Sequence, residues 1–127
     1  MIAVDTSALM AIVLDEPEAG RCIDALASGH PILISAATVA EALIVAHGRG
    51  ARAQMEALID GLGLEIVPVS PAAARRVSEA YGRWGRGFDA AALNFGDCFA
   101  YELADSAQSP LLYVGDDFAR TDIRSAS

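Results

Sequence analysis

The sequence predicts an α/β fold in which a mostly parallel central sheet lies between helices on both faces, a three-layer α/β/α sandwich. Three observations carry this reading. Short apolar runs at residues 1–4, 32–34, 64–69 and 111–114 are separated by longer stretches with helical periodicity, the order expected of strands joined by helical crossovers. The runs are continuous rather than alternating, as in strands covered on both faces. The chain is 54% hydrophobic but only 6% aromatic, which suits an interior of small and branched aliphatic side chains with helices in close approach. With 127 residues, one domain spanning 1–127 is expected, large enough to bury a core without disulfides or a structural metal.

Residues 1–4 form the first buried strand, and Asp5-Thr6-Ser7 caps a helix over residues 8–14. Asp15-Glu16-Pro17 ends that helix and opens another that runs through Leu26, with Pro17 in its first turn. After the turn Gly29-His30-Pro31, residues 32–34 are a second buried strand. Ser35 then starts a helix reaching about His47, closed by Gly48 and Gly50. Residues 52–60 form a short amphipathic helix with Met55, Leu58 and Ile59 inward. The third strand, 64–69, contains Pro68, which marks a strand end or a sheet edge. Ser70 caps a helix opened by Pro71 and carried through Tyr81, and residues 82–88 read as a glycine-broken loop bearing Arg83, Trp84 and Arg86. Asn94 caps the next helix, whose apolar face repeats at Phe95, Phe99 and Leu103; Ser109-Pro110 ends it. Residues 111–114 are the fourth buried strand, and Gly115-Asp116-Asp117-Phe118 comes directly after it.

No apolar run approaches the length of a membrane span, and the amino-terminal stretch lacks the basic region of a signal peptide. A cytoplasmic protein is expected, with no membrane partner. Cys22 and Cys98 show no C-x-x-C spacing and are expected to be buried free thiols. His30 and His47 have no Cys or His at metal-ligand spacing and are expected to be structural. The formal charge of −8 argues against a nucleic-acid partner. Two features soften that objection: all nine basic residues are Arg, suited to bidentate phosphate contacts, and acids gathered on a divalent cation would be partly neutralised. The absence of Lys removes a Walker nucleotide site, a receiver domain and lysine-dependent phosphatase chemistry.

The acids carry the functional reading. In an open parallel sheet the crevice lies beyond the carboxyl ends of the strands, where strand order reverses. Asp5 follows the first strand, and Asp116 and Asp117 follow the fourth. Glu41 lies about two turns into the helix after the second strand, and Asp97 falls at the third position of the helix feeding the fourth. If strands one and four are neighbours, one crevice receives four carboxylates. Each has a local alternative: Asp5 as a turn residue, Glu41 as a solvated or capping side chain, Asp97 as a capping-box acid, Asp116 and Asp117 as an Asx-turn and cap. Together they point to a hard divalent cation, because such a cluster otherwise repels itself. Mg²⁺, or Mn²⁺ in its place, serves phosphodiester hydrolysis. Ser7 has no evident base beside it and reads as a cap or as a hydroxyl that orients a carboxylate.

Four segments resemble the PIN-domain family and, within it, the VapC-type toxins of bacterial toxin–antitoxin pairs: I-A-V-D-T-S-A-L at 2–9, T-V-A-E-A at 38–42, A-L-N-F-G-D-C-F-A-Y-E-L-A at 92–104, and L-L-Y-V-G-D-D-F-A-R-T-D-I at 111–123. The resemblance spans nearly the whole chain. It implies the three-layer PIN-like fold, a Mg²⁺- or Mn²⁺-dependent ribonuclease acting as the toxin, an RNA substrate, and inhibition by a cognate VapB-type antitoxin; a homodimer is also expected. By position it places catalytic acids on Asp5, Glu41, Asp97 and Asp117. Metal ligation falls to Asp5, Asp97 and Asp117, with Asp116 a neighbour able to share the role. Thr6 or Ser7 would hold a carboxylate or a water at the metal. Arg83, Trp84 and Arg86 are the candidate RNA contacts, although Asp89 stands where close relatives often carry a basic or His residue. The rival reading is a non-catalytic module whose acidic groove binds an Arg-rich peptide.

Overall fold

A computed structural model describes all of residues 1–127. Strands β1 (Ile2–Val4), β2 (Ile32–Ser35), β3 (Glu65–Val67) and β4 (Leu111–Leu112) form one sheet in the order β3-β2-β1-β4. Every pair is parallel, with Ile2 opposite Ile32, Ala3 opposite Leu111, and Ile34 opposite Ile66. The order reverses between β1 and β4, so the crevice at their carboxyl ends is the place where a doubly wound sheet opens.

Helices α1 (Thr6–Val13), α2 (Ala19–Leu26), α3 (Ala36–Gly48) and α4 (Arg52–Gly61) contribute to the core on one face, where Leu9, Cys22, Ala42, Ala46 and Met55 pack on Ile2, Val4, Ile32, Ile34 and Leu112. Helices α5 (Pro71–Trp84) and α6 (Phe95–Ala107) cover the other face, where Val77, Ala80, Cys98, Tyr101 and Leu103 pack on Ala3, Leu33, Leu111 and Tyr113. Val4 and Ala3 thus serve opposite layers, as the two-residue period of a strand requires. No helix is long and apolar enough to cross a membrane. Cys22 and Cys98 are buried free thiols, as expected. His30 and His47 are both exposed, His47 in the last turn of α3.

The caps read from sequence are in place at Ser35, which accepts from the Ala37 amide at 3.2 Å, and at Ser70, which accepts from the Ala73 amide at 3.0 Å. Several boundaries differ, β3 among them, which spans Glu65–Val67 rather than 64–69. Helix α1 begins at Thr6 because Asp5 itself is the cap, and α2 starts at Ala19, past Pro17. Strand β4 stops at Leu112 because the Val114 amide donates to Ser7 Oγ at 3.0 Å instead of to a strand. Helix α5 runs past Gly82 to Trp84 and ends at Gly85, where a side chain would collide with the Tyr81 carbonyl. The sheet is not fully covered either: β3 is an edge strand with Glu65 and Ile66 exposed.

Leu9 sits in the α1 layer with no exposure. Leu9→Ala is expected to cost about 2–5 kcal/mol through lost burial and a residual cavity. Urea unfolding checks this as a lower midpoint at unchanged slope.

Candidate active site

Asp5 ends β1 and caps α1, so its carboxylate is held at the floor of the crevice by the backbone on both sides. It is 3% exposed. Its Oδ2 accepts from the Ser7 amide at 3.0 Å and the Ser7 hydroxyl at 2.6 Å. Its Oδ1 is buried and has no partner. A bare carboxylate oxygen in the interior is costly unless something meets it. Ser7 Oγ also accepts from the Val114 amide, so one hydroxyl ties the end of β1 to the segment leaving β4.

Asp97 comes from the opposite layer. Asn94 caps α6, its Oδ1 accepting from the Asp97 amide at 2.9 Å, while Asp97 Oδ2 accepts from the Asn94 amide at 3.0 Å. This is a complete capping box. It occupies one carboxylate oxygen of Asp97 and leaves Oδ1 without a protein donor. The local reading of Asp97 as a capping-box acid is thus borne out, and its second carboxylate oxygen is left for other partners.

Glu41 projects from the middle of α3, where no cap can aim it. Thr6 does so instead, donating from Oγ1 to Glu41 Oε1 at 2.6 Å. The other oxygen, Oε2, lies against Gly96 in the first turn of α6. Asp117 is exposed and heads the 3₁₀ turn Phe118–Arg120, without a side-chain capping bond.

The carboxyl groups feel one another. Burial pushes the Asp5 carboxyl up to about 7; the Ser7 bonds oppose this, and the charges of Asp97 and Glu41 add to it. Burial likewise raises Asp97 to about 6, against the Asn94 bond and with help from Asp117 and Glu41. These two side chains thus link all four acids into one electrostatic cluster. Asp116, next to Asp117 in sequence, perturbs neither. Of the pair after β4, Asp117 is the one whose charge helps raise Asp97.

The donor set fits a hard divalent cation: all ligand atoms are carboxylate oxygens, and Asp5 Oδ1 is an orphaned buried acceptor. As the side chains lie, no three Asp, Glu, His or Cys groups converge tightly enough to enclose an ion. The cluster acts at the longer range over which charges are felt.

The arginine and tryptophan segment departs from expectation. Arg83 and Trp84 belong to the last turn of α5, not to a loop. Trp84 is half-buried against Tyr101, ring centroids 6.4 Å apart. Arg83 stacks over Trp84 at 4.6 Å and pairs with Asp122 at 3.4 Å. Only Arg86 lies in the turn after the helix, exposed. Asp89 accepts from the Ala91 amide at 2.8 Å, a local turn closure. Sequence reasoning missed Gly96. The signal was available only as a glycine in a helical first turn where nothing local required one.

The PIN domain family matches residues 2–124. Ribonuclease VapC36 of Mycobacterium tuberculosis is 44% identical over 124 residues, covering 94% of this chain and 89% of that protein. Among solved structures, VapC20 of Mycobacterium tuberculosis, described as a sarcin–ricin loop cleaving toxin, superposes with a TM-score of 0.79 at 16% identity, covering 97% of this chain and 96% of that one. VapBC2 of Rickettsia felis, bound to a DNA fragment from its promoter, gives 0.72 at 18% identity, with 98% and 96% coverage.

The raised carboxyls set a pH dependence. Between about pH 4 and 7 the folded chain holds protons on Asp5 and Asp97 that the unfolded chain has released, so stability falls as pH rises through that window. Asp5→Asn keeps an oxygen for Ser7 and removes the larger contribution. In chelator, thermal melts should show the variant more stable than the parent at pH 8, by about 2–4 kcal/mol, with the gap closing near pH 4. Parallel pH profiles for the two proteins would contradict the assignment.

Proposed function

The chain belongs to the PIN-domain family, and from that premise we propose that it is an endoribonuclease, the toxin of a VapBC-type pair, hydrolysing RNA phosphodiester bonds at the acidic crevice and neutralised by a cognate VapB-type antitoxin. The observation that carries this is Asp5: a buried carboxylate with one oxygen tied to Ser7 and the other bare, facing a crevice charged by Glu41, Asp97 and Asp117. Relatives named as ribonucleases cover nearly the whole chain, and solved neighbours include VapBC complexes. The rival reading, a non-catalytic groove for an Arg-rich peptide, is not favoured by those relatives.

Asp5, Asp97 and Asp117 would hold the cation, with Asp116 near enough in sequence to assist and Glu41 completing the catalytic acids. When bound, Mg²⁺ or Mn²⁺ would supply Lewis acidity to the phosphodiester and make a water more acidic. The chain's own residues do the positioning. Ser7 fixes the Asp5 carboxylate, Thr6 fixes Glu41, and the capping box fixes Asp97 so that Oδ1 is its available oxygen. Glu41 Oε2, which has no protein donor, would accept a proton from an attacking water. Arg86 and the exposed side of Arg83 are proposed as contacts to RNA phosphate, while Trp84 serves the interior.

A cytoplasmic site of action goes with this reading, as does a homodimer. Phe88 and Phe95 are 68% and 76% exposed, beside an apolar groove between α5 and α6 lined by Val77, Tyr81, Cys98 and Phe99. Such an uncovered aromatic face marks an association surface. Light scattering that returns only the 13.2 kDa monomer would remove the dimer.

Antitoxin-free protein should cleave RNA when Mg²⁺ or Mn²⁺ is supplied and stop in chelator. Asp97→Asn should lower the rate at least about a hundredfold while melting at or above the parent, because an amide oxygen can still accept from the Asn94 amide and no charge is left to bury. A folded variant that cleaves like the parent would assign Asp97 to the cap alone. Asp117→Asn should be more damaging than Asp116→Asn in the same assay; the reverse order would transfer the fourth catalytic position to Asp116.

A further inference from the structure

Gly96 occupies the second position of α6, between Phe95 and Asp97. Its backbone is not in the left-handed region, so conformational freedom does not explain a glycine there. Space does. A methyl at Gly96 would overlap Glu41 Oε2 and would stand 2.5 Å from Glu41 Cδ and 2.9 Å from Oε1. The other helical glycines Gly20, Gly48, Gly61 and Gly82 have nothing within 4 Å of the same position. Glu41 thus reaches across from α3 and seats its carboxylate on a bare α-carbon at the positive end of α6, with Thr6 gripping its second oxygen.

Building on the ribonuclease reading, we propose that Gly96 is a positioning residue for the reaction: its missing side chain forms the slot that, together with the Thr6 hydroxyl, holds the Glu41 carboxylate beside Asp97. Gly96 touches neither RNA nor cation; it acts through Glu41. The obstructed atoms are the far end of a flexible side chain, so an added methyl moves Glu41 rather than the helix.

The test is a double-mutant cycle on full-length protein. Gly96→Ala should melt close to the parent temperature, since the better helix propensity of alanine offsets the lost Thr6–Glu41 bond. It should lower kcat about 10–100-fold, the usual loss when a ligand's supporting shell is disturbed, with KM for RNA unchanged. In a Glu41→Gln background the same substitution should cost nothing further. Gly96→Ser, also at home in a first helical turn, should repeat the pattern. Parent-like cleavage by Gly96→Ala overturns the proposal. So does an equal loss in the Glu41→Gln background, which would place Gly96 against RNA or Asp97 directly. A readout independent of cleavage is the coupling to Thr6. Thr6→Val should lower the melting temperature of the parent but not of Gly96→Ala, where Glu41 has already left the hydroxyl. Additive losses would overturn the slot even in an active enzyme. If the parent cleaves no RNA and the Thr6 coupling holds, the ribonuclease reading fails while the Gly96 slot stands.

Discussion

The burial of Asp5 constrains much of what surrounds it. A carboxylate at the end of a central strand is expensive to hold charged, and only Ser7 offers it hydrogen bonds. Because the same hydroxyl receives the Val114 amide, the chain leaving β4 is pulled off the ladder two residues after Leu111 begins it. That early departure directs Gly115, Asp116 and Asp117 past the carboxyl ends of the strands. A single serine therefore connects the deepest acid of the crevice to the segment that supplies its most exposed one.

Helix caps do most of the aiming. Asp5 and Asp97 each serve a helix amino terminus, so the groups needed to start α1 and α6 also orient the acids within the crevice. This is economical, since an acid in a first turn is favoured by the helix dipole whether or not it has a further role. Glu41 has no such help. Placed in mid-helix, it needs contacts from two other elements, Thr6 on α1 and the gap at Gly96 on α6. The site is thus built across both helical layers, and its geometry depends on how closely α3 approaches α6.

That division explains what could be read from the residues alone. Ser35, Ser70 and Asn94 announce their helices because a cap is a contact over two or three positions. Asp5, Glu41 and Asp97 could be gathered on paper because a parallel sheet sends every strand end to the same side. Asp117 could be preferred to Asp116 only by its place before Phe118 in the resembling segment, since spacing alone does not say which way an exposed turn faces. The end of α5 could not be read: three glycines in seven residues resemble a loop, yet Gly82 continues the helix, and Gly85 stops it by turning to an extended backbone at a point where Tyr81 leaves no room for a side chain. The pairing of Arg83 with Asp122 could not be read either, because the two lie far apart along the chain. The slot at Gly96 was invisible for the same reason. A glycine reads as permissive until the element that presses on it is in place.

On the ribonuclease reading, the cluster also bears on the tension between an acidic protein and a polyanionic substrate. With Asp5 near 7 and Asp97 near 6, the crevice near neutral pH holds part of a proton load and less negative charge than four carboxylates suggest. Raising the pH strips those protons, which costs stability in the cation-free chain and increases the attraction for a divalent cation. Cation entry and proton release are then two sides of one exchange, in which either occupant relieves the repulsion among the acids. On the ribonuclease reading, the phosphate backbone would meet a crevice whose charge a cation or protons had already answered, and the overall charge of −8, spread over the surface, does not describe the field at that point.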